Sequence, residues 1–267
     1  MAQTGLPQGM QWNPRQYLAF ASHRLRPALE LLARVPHESP RRVVDLGCGA
    51  GNVTGYLRRQ WPAADVTGVD NSPEMLAQAA QEAVPGPPVH WQAADLATWS
   101  AAQPCDVIFS NAALHWIPGH AHQFPRLAGQ LAPGGVLAVQ MPRNFTAPSH
   151  VLMTTAALAG PWRDRLKGHL RALPVAEPQE YYDLLAPLCA SVDVWETEYQ
   201  QVLTGENPVA EFTKGSWLKS LLDALQEPER GLFEAEYRRL VLAAYPKRHA
   251  GKTLFPFKRL YIVAQVA

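Results

Sequence analysis

Residues 43–52 read VVDLGCGAGN, and the rest of the chain arranges itself around this stretch. A short β-branched run, Arg42 to Asp45, opens into Gly47, Gly49 and Gly51, and Val53 to Trp61 then carries apolar residues at helical spacing. A strand, a glycine turn and a helix in that order make the first unit of a parallel α/β sheet. Glycine lets the backbone turn tightly and come close to a ligand, although such turns also arise for packing alone. The spacing is G-x-G-x-G, whereas dinucleotide binders carry G-x-G-x-x-G, and no Walker lysine follows. Phosphate cradling is therefore disfavoured, and with it an NAD or nucleotide-sugar protein. Asp45, just before the glycines, is a poor neighbour for pyrophosphate and a good one for a cationic amino acid.

Two further acids stand at strand ends. Asp65 to Asp70 reads as the second strand, and Asp70 is placed as the acid that binds ribose hydroxyls in this architecture. Asp95 follows a third strand, Val89 to Gln92, in AADLATW, where a carboxylate can accept from an adenine amino group. Each acid alone reads equally as a helix cap or a solvated loop residue. Together with the loop they fit one ligand, made of ribose, adenine and a positively charged methionine moiety. Asn52, Asn71, Met75 and Leu96 flank them in the chain and are assigned to the same ligand.

Ser72 is the expected N-cap of a helix from Pro73 to Ala83, with proline at its first position. Asp106 to Ser110 and Gly135 to Met141 are expected as the fourth and fifth strands. Alternating strands and helices imply βαβ units and a parallel sheet covered on both faces. A helix is expected over Pro14 to Arg34. After Pro142 the texture changes: Pro148 to Leu170 and Gln179 to Leu188 look helical, and Val192 to Leu203 alternates like a strand. Val209 to Ala244 reads as two helices broken near Pro228, and Phe255 to Val266 alternates again and closes the sheet. With no repeat or low-complexity linker, residues 1–267 read as one domain. Its core is about 40–145 with 190–203 and 254–267, and its helical cap segments are about 13–35, 148–189 and 207–246.

Of the 267 residues 47% are hydrophobic and 18% charged, a globular balance. A net charge of +1 gives no broad basic surface for nucleic acid or an acidic membrane. Cys48, Cys105 and Cys189 form no CxxC pair, so neither a disulfide framework nor a metal site is expected. Met1 to Trp12 lacks a secretory pattern and no apolar run is long enough to span a bilayer, so a cytoplasmic protein is expected.

The loop and its acids resemble the S-adenosylmethionine (SAM) motifs of class I methyltransferases. A narrower resemblance covers Gln11 to the C-terminus. QWNPRQYLAF, HRLRPALELLARVP, VVDLGCGAGN, GVDNSPEMLAQA, FSNAALHWIPGH, LAPGGVLAVQMP, HVLM, YYDLL and FPFKRLYIVA are similar to the trans-aconitate 2-methyltransferase family. The glycine loop marks only the superfamily; the WNP–Tyr segment, NAALHW and VQMP mark the family. The resemblance implies a Rossmann-like class I methyltransferase sheet, mostly parallel with the last strand antiparallel, an N-terminal helix and a helical insertion in the C-terminal half. It also implies SAM-dependent monomethyl esterification of trans-aconitate or a related small polycarboxylic acid, in a bacterial cytoplasm. The fit is weakest from about Pro161 to Pro178 and from Gly205 to Leu222, segments in a position to shape the acceptor pocket.

Methyl transfer from a sulfonium is an in-line displacement, and a carboxylate is already ionised at neutral pH. No catalytic base is then required. The protein has to align the oxygen, strip its water and hold the other carboxylates, a task suited to the arginine fork. Arg24 in the N-terminal helix and Arg259 on the last strand are the expected clamps, a surface ion pair being the alternative for each. Arg26 and Lys258 are expected to be solvated, and Arg143 is a further candidate. Asn111 stands where acceptor and cofactor meet, with a loop-stabilising amide as the alternative. Trp116 is assigned to the adenine pocket against ordinary core packing. Trp12 and Tyr17 are expected to cover the ligands, with His115, Gln140, Met141 and His150 nearer the acceptor. Tyr181 and Tyr182 are candidate hydroxyl donors, one of them buried instead, and Tyr181 is assigned to the acceptor. Trp162, Trp195 and Trp217 are assigned to core or lid packing. The expected partner is a small polycarboxylate, and the expected state a monomer or weak dimer. Alternatives are another acceptor, including a carrier-bound malonyl thioester, one needing His115 or His150 as base, or a non-catalytic SAM-binding protein.

Overall fold

Strand β1 (Arg42–Leu46) is buried from Val43 through Leu46, as befits a strand covered on both faces. The computed structural model describes residues 21–267 except 83, 85 and 171–173, with side chains described from residue 25. Around β1 lie β2 (Asp65–Asp70), β3 (His90–Ala93), β4 (Cys105–Asn111), β5 (Leu131–Pro142), β6 (Ser191–Leu203) and β7 (Thr253–Gln265). They form one sheet in the order β3-β2-β1-β4-β5-β7-β6. β1 to β5 are parallel, and β7 runs antiparallel to both β5 and β6, as expected of the last strand. The chain leaves β1 toward β2 and β3, then returns to its other side for β4 and β5. That reversal opens a crevice beyond the carboxyl ends of β1 and β4.

The expected N-terminal helix is seen as α1 (Ala21–Leu32), its earlier part lying outside the described residues. Glu30 fastens it to the sheet by accepting from Thr197 Oγ1 at 2.7 Å, Trp195 Nε1 at 3.3 Å and the Tyr199 hydroxyl at 2.5 Å. Helix α2 (Thr54–Gln60) follows the glycine loop, and α3 (Pro73–Ala79) starts as anticipated: Ser72 Oγ accepts from Met75 N at 3.2 Å. The sequence reading misses α4 (Gln123–Ala128), a short helix with proline inside it, which puts Phe124 and Leu127 into the core.

The C-terminal half adds α5 (Pro148–Ala159), α6 (Arg163–Leu166), α7 (Pro178–Leu185), α8 (Pro208–Lys214), α9 (Trp217–Asp223) and α10 (Glu229–Ala244). Proline opens α5, α7 and α8, where its missing N–H costs nothing. Two helix breaks fall where none was expected. The continuous helix read over Pro148 to Leu170 stops at Gly160, because the Trp162 ring folds back over that residue; a Cβ there would lie 2.3 Å from it. The stretch from Val209 makes three helices, the extra break falling at Gly215 and Ser216. There Thr213 Oγ1 bonds the carbonyls of Val209 and Ala210 within its own helix, both at 3.0 Å.

One apolar layer covers each face of the sheet, and a third lies under the cap helices. This third layer includes Leu203 of β6 with Phe255 and Phe257 of β7, so the long last strands extend past the sheet and floor the cap.

Candidate binding site at the carboxyl edge of the sheet

A cavity of about 490 Å³ fills the crevice between the strand ends and the cap, within the range of small-ligand sites. The glycine loop forms one end. Gly47 has φ +84°, and a Cβ there would come within 2.1 Å of Ala113 Cβ, so the loop after β4 seats directly on it. Gly49 has φ +53°, and a Cβ would meet nothing, so the left-handed turn alone asks for glycine and its face stays open to the cavity. Its N–H donates to Asp70 Oδ2 at 2.9 Å, while Asp70 Oδ1 accepts from Ser72 N at 2.9 Å. The Asp70 carboxylate is thus held between loop and helix α3, with lone pairs left on both oxygens.

Asp45 is 1% exposed and accepts from Thr54 Oγ1 at 2.6 Å. Burial raises its pKa to about 7, the Thr54 bond opposing and the nearby Asp70 charge adding to the rise. A carboxyl in this state gains most from an arriving cation. Asp95 accepts from Ala97 N at 2.9 Å and faces the cavity from an exposed turn. Asn52, Asn71, Met75 and Leu96 line the same end. Asn111 lies between the two ends, and its Oδ1 is buried with no hydrogen-bond partner among the described residues. A buried acceptor left so is costly until a donor reaches it. Open loop, acceptor-rich acids and orphaned amide oxygen suit a ligand carrying hydroxyls and a cationic amino acid.

The other end is aromatic and cationic. Arg259 on β7 is 4% exposed, lines the cavity, donates from Nη1 to Gln140 Oε1 at 3.4 Å and lies 4.7 Å from the Phe257 ring centre. Trp217 from α9 stacks on Trp116, with ring centres 5.7 Å apart. His150 sits edge-on to Phe145 at 5.2 Å and to Trp217 at 6.3 Å, and burial lowers its pKa to about 4, so it is neutral near pH 7. His115, Phe145 and Phe212 complete the wall.

The structure thus gathers Asp45, Gly47, Gly49, Asn52, Asp70, Asn71, Met75, Asp95, Leu96, Asn111, His115, Trp116, His150 and Arg259 around one cavity. Three assigned residues fall elsewhere. Gly51 is turned to packing: a Cβ there would lie 2.8 Å from the Trp91 ring and 3.1 Å from Ala79 Cβ. Gln140 is wholly buried, bonded to Arg259, and does not line the cavity. Tyr181 is wholly buried, its hydroxyl accepting from Ala176 N at 3.0 Å and bonded to His120 Nε2 at 2.7 Å, so it is a core residue. Tyr182 is exposed. Arg143 pairs with Glu177 and, at 2.6 Å, with Glu196, so it is no clamp. Met141 is core. Trp12, Tyr17 and the Arg24 side chain lie outside the described residues.

Sequence reasoning missed Phe145, Phe212, Thr213, Ser216 and Phe257, and gave Trp217 to packing. Only Phe257 carried a local signal, standing two positions before Arg259 on an alternating strand. Among the described residues no group of three or more His, Cys, Asp or Glu is arranged to hold a metal ion.

Residues 43–135 match the family model described as a methyltransferase domain. The chain is 47% identical to trans-aconitate 2-methyltransferase of Azoarcus sp. (strain BH72) over 253 residues, covering 95% of this chain and 98% of that protein. It is 48% identical to the enzyme of the same name from Streptomyces avermitilis, covering 95% and 96%. Among solved structures it resembles the Bacillus subtilis YcgJ protein, with a TM-score of 0.57, 14% identity and coverage of 91% and 98%. It also resembles phosphoethanolamine N-methyltransferase 2 of Haemonchus contortus, solved with S-adenosylhomocysteine, with a TM-score of 0.53, 16% identity and coverage of 91% and 53%.

Proposed function

Since this chain belongs to the trans-aconitate 2-methyltransferase family, we propose that it esterifies one carboxylate of trans-aconitate with a methyl group from SAM, releasing a monomethyl ester and S-adenosylhomocysteine. The chain is a SAM-dependent methyltransferase. The observation that carries the acceptor reading is one cavity with opposite ends: three carboxylates and an open glycine turn at one, the buried Arg259 at the other.

Bound SAM supplies an electrophilic methyl group on a sulfonium. In this reading Asp70 receives the ribose hydroxyls, Asp95 the adenine amino group, and Asp45 with the Asn111 oxygen the cationic amino acid end. Arg259 holds a carboxylate of the acceptor that does not react, which orients the one that does. Trp217 and Phe145 keep water from the attacking oxygen, and in this reading Trp116, which stacks on Trp217, serves that end and not the adenine pocket assigned to it from the sequence. His150, with its pKa near 4, is a weak base, and a carboxylate acceptor asks for none.

The N-terminal and C-terminal helices work with the sheet as one domain in this proposal, because the cap supplies Phe212 and Trp217 to the cavity and shares its apolar layer with β6 and β7. The same reading has the protein act in the cytoplasm on a small molecule, as a monomer or weak dimer, without nucleic acid or membrane. A net charge of +1 supports it, and among the described residues no helix is long and apolar enough to cross a membrane.

The test is turnover of labelled SAM with trans-aconitate, cis-aconitate, isocitrate, citrate and a malonyl thioester. Preference for trans-aconitate with a base-labile product supports the proposal. Silence across the acids, with SAM still bound, overturns it.

A further inference from the structure

Ser149, second residue of helix α5, precedes the cavity-lining His150 and is wholly buried. Its main chain is held on both sides: its N–H donates to the Tyr245 hydroxyl at 3.1 Å, and its carbonyl accepts from the Tyr237 hydroxyl at 3.1 Å. Its Oγ makes a single hydrogen bond among the described residues, 3.1 Å to His150 Nδ1. The other ring nitrogen of His150, Nε2, bonds to no described residue, and the ring lines the cavity.

Two arrangements of protons fit a hydroxyl against an imidazole nitrogen. If Nδ1 carried the proton, it would donate to Oγ and leave the serine proton buried without an acceptor. If Oγ donates to Nδ1, that donor is satisfied and the ring proton sits on Nε2. Only the second leaves nothing buried and unmade.

We propose that Ser149 is a positioning residue that fixes the Nε2–H tautomer of His150, so that the ring presents a neutral N–H donor to a carboxylate oxygen of the acceptor. Burial keeps the ring neutral by lowering its pKa to about 4, which leaves one ring proton to place. A neutral donor orients a carboxylate by hydrogen bonding and offers an amine nothing it needs, so it favours oxygen acceptors. The role at the acceptor rests on the carboxylate reading above; the tautomer does not.

Nitrogen-15 correlation spectra of histidine-labelled full-length protein at pH 7, with His150 assigned through His150→Gln, report the tautomer directly. The expected result is a protonated Nε2 and an unprotonated Nδ1. Ser149→Ala should then mix the tautomers and raise the KM for trans-aconitate about tenfold, the value of one hydrogen bond to a charged group, while the Kd for SAM changes less than about twofold. Ser149→Thr keeps the hydroxyl and should restore both spectrum and KM. A protonated Nδ1 in the wild type, or an alanine variant with unchanged KM, overturns the proposal. A wild type with the expected tautomer but no turnover of trans-aconitate sinks the acceptor reading and leaves the tautomer assignment standing.

Discussion

The indole of Trp217 lies over that of Trp116, with centres 5.7 Å apart and planes 27° from parallel. Trp116 belongs to the sheet side, just beyond β4, and Trp217 begins helix α9 of the cap. Both rings line the cavity, so the sheet side and the cap meet there.

Removing the upper half of the stack should therefore hurt the acceptor more than the cofactor. Trp217→Ala opens the wall to water and frees the acceptor to misalign. A fall in kcat/KM of at least about tenfold is expected, since stacking and alignment are both lost. The Kd for SAM, measured by titration calorimetry, should move less than about threefold, because the loop and its acids are untouched. Equal losses on both would show that the stack belongs to the cofactor end.

Asp70 accepts from Gly49 N and Ser72 N while facing the cavity. Asp70→Ala releases the glycine loop and, on the proposed reading, takes away the ribose acceptor. Weakening of SAM binding by about tenfold to a hundredfold is expected, the range for charge-assisted hydrogen bonds. An affinity equal to wild type would remove Asp70 from the cofactor site.

Asp45 gives a pH signature. Its folded pKa, about 7, lies above the ordinary 3.8, so folding disfavours its charged form. Between those values the native state holds a proton that the unfolded chain has lost. Wild-type stability should therefore decline relative to Asp45→Asn as pH rises from about 4 to about 7, and the difference should level off above that. A cationic ligand prefers the ionised form, so SAM affinity should rise over the upper part of this window in the wild type and stay flatter in the variant. Melting curves of the ligand-free proteins and a pH series of titrations check the two halves separately.

Arg259 is the cation at the far end. Arg259→Ala should raise the KM for trans-aconitate about a hundredfold while leaving SAM affinity within about twofold, and Arg259→Lys should recover part of the loss, since charge returns without the two-pronged fork. Steady-state kinetics with both substrates varied separates these effects. An unchanged KM would place the carboxylate clamp on another residue.

By itself the sequence determined the glycine-loop end of the cavity. The run 43–52, the acids at 45, 70 and 95 and the Ser72 cap are local patterns: an alternation, a glycine turn, a carboxylate at a strand end. Right-handed crossovers then narrow the ways such units can join, and the strand order itself is seen only in the structure. At the other end Trp116, His150 and Arg259 were legible one by one as candidates, but only the tertiary structure brought them together and added Phe145, Phe212 and Trp217. Trp116, Phe145, His150, Phe212, Trp217 and Arg259 come from six elements or loops, and no propensity at one of them records the others. Gln140 sits on the right strand yet does not reach the cavity, since it is buried with its amide oxygen bonded to Arg259. Tyr181 stands in a plausible helix yet gives its hydroxyl to His120, 61 positions away. Where a helix breaks at Gly160 is set by a tryptophan ring folding back upon it. Contacts of this kind depend on which side chains fill the same space after the chain has closed on itself, and packing, unlike periodicity, cannot be read one segment at a time.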